Sequence, residues 1–169
     1  MAQGLKLNLG CGSKILEGFV NVDGKAGPGI DLVHDVFTPL PFKDCEEIHG
    51  YHIFEHMQRW QAEGVLKDWV SCLKPGGLLV LELPCLDKVI SLFAYHIQKK
   101  QPVGQWVVWG LFGDPSHKDP AMMHHWCYST AELRAMMQAA GLQVTVKEAL
   151  THVPVRDMRL EGRKGRVVI

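Results

Sequence analysis

The sequence predicts an α/β fold, a mostly parallel sheet of about seven strands with helices on both faces. Three features point there. Short apolar runs alternate with segments of helical spacing along the chain. The first run ends abruptly at Gly10, Cys11 and Gly12, a turn whose glycines let a ligand approach the backbone beyond a strand's carboxyl end. The run Lys74, Pro75, Gly76, Gly77 then divides a helical segment from a strongly apolar strand, using the residues that end helices.

In chain order, residues 5–9 read as a buried strand, 19–23 as a second, 31–36 as a third closed by Pro39 and Pro41, and 47–54 as a more polar fourth. Residues 58–73 have helical spacing, with Trp60, Val65, Trp69 and Leu73 recurring roughly every four positions. Residues 78–83 form the fifth strand. Residues 86–100 read as a helix with Val89, Ile90, Phe93 and Ile97 on one side, 106–112 are apolar and aromatic, and 113–120 are turn-rich. Ser129 followed by Glu132 fits a capping box for a helix over 129–140, with Gly141 at its end. Residues 143–149 and 155–161 are the last two strands. Only residues 13–20 link the glycine turn to the second strand, whereas a parallel crossover usually takes a dozen residues or more. A first helix there has one or two turns, or is irregular.

The 169 residues suit one domain, taken as 1–169, with an insertion over about 85–127. Lys plus Arg and Asp plus Glu both number 18, so the basic excess of a nucleic-acid binder is missing. The cluster Arg156, Arg159, Arg163, Lys164 and Arg166 reads as a solvated strand and tail. Five scattered cysteines without a C-x-x-C pair argue for reduced thiols in a cytoplasmic protein rather than a disulfide framework or zinc site. No apolar run approaches the roughly 18 residues of a bilayer span. The first six residues lack the apolar core of a signal peptide.

The glycine turn departs from a dinucleotide fingerprint. Ile15 stands where that pattern has its third glycine, and Asp23 follows Gly10 by 13 positions rather than about 20. A ligand with a ribose and no pyrophosphate fits this spacing better.

The series L-N-L-G-C-G (7–12), N-V-D (21–23), D-V (35–36) with L-P-F (40–42), H-I-F-E-H (52–56) and L-K-P-G-G-L-L-V-L-E-L-P (73–84) resembles the motif series of class I S-adenosylmethionine (SAM)-dependent methyltransferases. It is most similar to the small type-11-like branch, often found near glycan and lipopolysaccharide synthesis genes. The later H-H-W-C-Y-S-T-A-E-L, ending in A-A-G-L, resembles that family's last helix and its exit. The likeness runs from about residue 6 to residue 163. It implies a Rossmann-like class I methyltransferase fold, with SAM as cofactor and S-adenosylhomocysteine as product. Gly10 and Gly12 would line the methionine part of SAM, with Asn8 and Cys11 close by. Asp23 would accept hydrogen bonds from both ribose hydroxyls, a task suited to an acceptor-only carboxylate. Asp35 and Val36 would flank the adenine, although Asp35 also reads as a turn cap. His52 would sit near the sulfonium and the substrate mouth.

Methyl transfer from a sulfonium needs alignment and exclusion of water. An oxygen acceptor also calls for a general base, most often His. Among nine histidines, the candidates are His52, with Glu55 and His56 beside it, and His124 and His125 before the last helix. Each also reads as a surface or hydrogen-bonded core histidine. His117, Asp119, His124 and His125 include plausible metal ligands, but their spacing matches no zinc or iron pattern, and no metal is expected. Trp106, Trp109, Phe112 and Trp126 would form an aromatic wall for a sugar or flat ring, or else a hydrophobic cap or subunit interface that favours a homodimer.

The leading reading is a SAM-dependent methyltransferase acting on a small-molecule or glycan hydroxyl. One alternative is a SAM-binding module or pseudoenzyme that needs a partner chain. Another, a nucleic-acid methyltransferase, is disfavoured by neutral charge and by Gly50, Tyr51, His52, Ile53 and Phe54 where an amino-methylating enzyme carries D/N-P-P-Y/F.

Overall fold

The computed structural model describes residues 4–165. Its strands are β1 (Lys6–Leu9), β2 (Val20–Asp23), β3 (Leu32–Val33), β4 (Cys45–Tyr51), β5 (Leu73–Pro84), β6 (Leu142–Lys147) and β7 (Asp157–Lys164). They form one sheet in the order β3-β2-β1-β4-β5-β7-β6. Only β7 runs against its neighbours; the pairs from β3 through β5 are parallel. The helices are α1 (Ala62–Cys72), α2 (Leu86–Gln98), α3 (Gln105–Phe112) and α4 (Thr130–Ala139).

Side-chain alternation sorts the sheet into two unlike faces. Leu7, Leu9, Val22, Ile48, Leu79, Leu81, Leu83, Met158 and Leu160 share one face and are buried. There α1 contributes Ala62, Val65, Leu66 and Trp69, and α4 contributes Leu133, Met136 and Met137. Each such side chain taken from water adds about 1.5–3 kcal/mol. The opposite face carries Glu47, His49, Tyr51, Glu82, Arg159 and Glu161. Loops cover its upper part: the Phe19 ring lies 4.8 Å from His49, Lys14 sits over Tyr51, and the Leu150 and Thr151 amides donate to Glu82. The helices are thus unevenly shared, and α2 and α3 pack chiefly on one another, with Val89 against Gly110.

Several boundaries differ from those expected. The connection from β1 to β2 forms no helix. Two sheet asparagines do a helix's work there: Asn8 Nδ2 donates to the Lys14 carbonyl at 2.7 Å, and Asn21 Oδ1 accepts from the Leu16 amide at 2.9 Å. β3 shrinks to two residues because Asp35 starts a turn at once, accepting from the Phe37 amide at 3.0 Å. α1 begins at Ala62, leaving Trp60 outside it and 79% exposed. The Lys74–Gly77 run ends α1 but lies within β5, as a bulge: Cys45 pairs with Leu73 and Glu47 already with Leu78. Ser129 caps α4 through the Glu132 amide, while the Glu132 carboxylate turns to Arg59 and Trp126. The basic cluster, expected as a solvated strand and tail, is solvated only in part: Arg163 is exposed on β7 and Lys164 is half-buried. Arg156 is buried against Asp157, Arg159 pairs with Glu161, and Arg166 lies outside the described residues.

Candidate functional site

At the carboxyl end of β1 the chain must turn sharply, and glycine makes this possible. Gly10 and Gly12 have φ of 61° and 50°, the left-handed region that other residues enter at a cost. A Cβ on Gly10 would meet Ile53 Cγ1 at 2.3 Å, whereas one on Gly12 would project into open space. Asp23, ending β2, fastens this turn: its Oδ2 accepts from the Gly12 amide at 2.8 Å and its Oδ1 from the Lys25 amide at 3.0 Å. Each oxygen keeps further acceptor capacity. Beyond β3, the Asp35 turn presents Val36, whose carbonyl accepts from Trp69 Nε1 at 2.8 Å.

Gly10, Gly12, Asp23, Asp35, Val36 and His52 all line a single cavity of about 900 Å³. This volume lies within the range of ligand pockets, roughly 300–1,000 Å³. Asn8 and Cys11 do not line it. Asn8 is bonded to Lys14 and Asn21, and the Cys11 thiol is buried, its pKa pushed up to about 11 by that burial and the nearby Asp23. The wall also includes Ile30, Phe37, Ile53, His56 and Met122. Phe37 was within reach of the sequence, following Val36 directly. Met122, 85 positions beyond Phe37, carried no sequence signal.

Residues 85–127 supply α2, α3 and two short 3₁₀ turns, Pro115–His117 and Pro120–Met122. They enclose a second, largely apolar cavity of about 580 Å³ lined by Val108, Trp109, Phe112, Met122 and Met123. Met122 borders both cavities. Of the four aromatic residues expected to act together, Trp109 and Phe112 line this cavity. Trp106 offers its carbonyl to Arg156, and Trp126 bonds Glu132 beside Arg59. Lys25, on the wall of the larger cavity, forms an ion pair with Asp119, which lines the smaller one, and so ties the two walls together.

The histidines divide. His52 (φ 51°) sits between Glu55 Oε1 at 3.2 Å and Asp157 Oδ2 at 3.1 Å. Burial works against its charge, but the two carboxylates outweigh burial and raise its pKa to about 9. His124 is nearly buried, and burial lowers its pKa. Its Nδ1 lies 3.2 Å from the Gly110 carbonyl and it lines neither cavity. His125 is exposed, with Nδ1 3.4 Å from Gln58 Nε2. His56 is the other imidazole on the wall of the larger cavity, beside His52. His117 is exposed and stands apart from His124 in the described structure.

A family model described as a methyltransferase domain matches residues 6–147. Among solved structures, a SAM-dependent methyltransferase from Methanosarcina mazei is similar at 15% identity, with 98% of this chain and 95% of that chain covered and a TM-score of 0.64. The Burkholderia thailandensis 1,6-didemethyltoxoflavin-N1-methyltransferase, solved with 1,6-didemethyltoxoflavin and S-adenosylhomocysteine, is similar at 11% identity, over 96% of this chain and 71% of that one, with a TM-score of 0.63. A Haloferax volcanii structure, a complex between the Trm112 methyltransferase activator and a methyltransferase, matches at 15% identity, over 97% and 84%, with a TM-score of 0.62. At these identities the likeness concerns the fold. No curated protein matches the sequence.

Proposed function

The chain belongs to the methyltransferase-domain family, and from that premise we propose that it transfers a methyl group from SAM to a hydroxyl of a small molecule or glycan. The observation that carries this reading is the cavity of about 900 Å³ into which the ends of β1 and β2 and the turn after β3 deliver Gly10, Gly12, Asp23, Asp35 and Val36. These residues fit the cofactor. Gly12 leaves open the space a Cβ would fill, Asp23 keeps lone pairs for ribose hydroxyls, and Val36, Phe37 and Ile30 offer an apolar slot for adenine. When bound, SAM supplies an activated methyl group on a sulfonium and departs as S-adenosylhomocysteine.

The chain's own task is to align the acceptor and exclude water. The 85–127 insertion serves as the cap, with the Lys25–Asp119 pair closing it against the cofactor loop. The Trp109 and Phe112 cavity takes an apolar or flat part of the acceptor, and Met122 marks where acceptor and methyl donor meet. His52 is no base here, because its two carboxylates keep it protonated at neutral pH. His124 and His125 line neither cavity, and His56 lies on the wall of the larger one.

A second reading, a SAM-binding module completed by a partner chain, draws on the polar sheet face covered by loops and on the fold likeness to a methyltransferase solved with an activator. Among the described residues, no helix is long and apolar enough to cross a membrane. Calorimetric titration of the protein with SAM and S-adenosylhomocysteine tests the central reading. Micromolar binding is expected, and a folded protein that binds neither would overturn it. Turnover by the chain alone would dismiss the partner requirement.

A further inference from the structure

We propose that Glu55, His56 and His124 form a binding site for a first-row divalent transition-metal ion beside the cofactor cavity, whose wall His56 joins. One ligand atom from each of the three lies within 4.8 Å of the others, and His124 Nε2 is 3.9 Å from Glu55 Oε1. The two rings meet edge to face, with centroids 4.9 Å apart.

The hydrogen bonds around the cluster fix which ring nitrogen of each histidine is free to ligate. His56 Nδ1 lies 3.1 Å from the Met123 carbonyl and His124 Nδ1 lies 3.2 Å from the Gly110 carbonyl. A carbonyl only accepts, so both Nδ1 atoms carry the proton and both Nε2 atoms present a lone pair. A backbone carbonyl behind the distal ring nitrogen is the support that metal-ligating histidines have. Glu55 is fully buried, and neither carboxylate oxygen has a hydrogen-bond partner among the described residues. His52 Nδ1 is 3.2 Å from Oε1 but out of line for a hydrogen bond. His52 offsets the charge of this carboxylate, but the unmade hydrogen bonds of its buried oxygens remain costly. A water molecule has two protons to offer three acceptors, whereas a cation satisfies all three at once.

The backbone holds the ligands in place. Glu55 and His56 share the 3₁₀ turn Phe54–His56. The amides of His125 and Trp126 donate to the Glu55 carbonyl at 2.8 and 3.3 Å, pinning the segment that bears His124. Two imidazole nitrogens and one carboxylate oxygen suit zinc or manganese better than magnesium or calcium, which prefer all-oxygen shells. Three protein ligands leave coordination positions free, as at catalytic rather than structural sites. His56 also lines the cofactor cavity. On the methyl-transfer reading, on which this role alone rests, His56 brings the ion to the cavity wall, where an acceptor hydroxyl that reaches it would give up its proton more readily. The sequence hid the set, because its third member lies 68 positions from His56.

The test uses chelator-stripped full chain titrated with MnCl2, following free Mn²⁺ by electron paramagnetic resonance, and with ZnCl2 by calorimetry. S-adenosylhomocysteine affinity is measured in parallel. Saturable binding at a single site is expected. His56→Ala and His124→Ala each weaken it at least tenfold, while His117→Ala binds as the wild type does. His56 is only half-buried, so its variant keeps the test decisive should His124→Ala fail to fold. No saturable binding by the wild type, or unchanged binding by a folded His56→Ala, would overturn the site. Cation binding without S-adenosylhomocysteine binding would support the site while counting against the cofactor reading.

Discussion

Trp69 Nε1, wholly buried in α1, donates a 2.8 Å hydrogen bond to the carbonyl of Val36 on the wall of the cavity of about 900 Å³. One side chain thereby serves the core and the site together. Its ring packs edge to face on Phe54, with centroids 5.8 Å apart, just ahead of Glu55 and His56. Trp69→Phe keeps an aromatic ring but leaves a smaller core and an unpaired buried carbonyl. A loss of about 2–4 kcal/mol in urea unfolding is expected, with S-adenosylhomocysteine affinity weakened several-fold as the Val36 segment relaxes. A less stable variant that binds with wild-type affinity would show that other contacts set the segment.

Asp23 joins two strand ends through the Gly12 and Lys25 amides and faces the cavity with what acceptor capacity remains. Asp23→Ala should weaken S-adenosylhomocysteine binding at least tenfold, about 1.4 kcal/mol. Calorimetry on a variant with wild-type circular dichroism reads this directly. Unchanged affinity would remove the ribose role.

The two turn glycines separate backbone strain from steric conflict. Both have positive φ, but a Cβ on Gly10 strikes Ile53 while one on Gly12 meets nothing. Gly10→Ala should therefore lower stability clearly more than Gly12→Ala, whose penalty is about 1 kcal/mol of left-handed strain. Gly12→Ala should nonetheless reduce cofactor affinity, because its methyl group points into the cavity. Equal thermal destabilisation by the two variants would contradict this division.

The strands, and the gathering of Gly10, Gly12 and Asp23 at one cavity, were legible because both depend on local sequence. Alternating leucines mark a strand buried on one face, and Gly10, Gly12 and Asp23 stand at strand ends wherever the register falls. Asn8 misled because it belongs to the glycine motif by position, yet its amide is taken up by the irregular link that the short 13–20 spacing foreshadowed. The histidines were not legible. Their roles depend on which carboxylates and carbonyls fold against them from afar: Asp157 on His52, Gly110 on His124 and Met123 on His56. Period and spacing carry no information about such pairings.

The His52 cluster predicts a pH dependence of stability with a definite sign. The pKa of His52 rises on folding from 6.5 to about 9, the carboxylates of Asp157 and Glu55 outweighing burial. Its contribution is therefore fully present below about pH 6.5 and is lost as pH rises through about 9. Against burial, His52 holds the pKa of Asp157 and Glu55 down to about 2, so both stay ionised across that window. Arg156 Nε donates to Asp157 Oδ1 at 2.6 Å on the far side of that carboxylate. His152, stacked 4.0 Å from His52, has its pKa lowered by burial and by the charge on His52. The His52 shift corresponds to about 3 kcal/mol, counted once for the whole cluster. The comparison to make is wild type against His52→Asn, since asparagine tolerates the φ of 51°. Their difference in unfolding free energy should be greatest near pH 6 and shrink steadily toward pH 10. A difference that stays level over that range would mean His52 stabilises the fold through packing, and its proton would then be free for other work in the cavity.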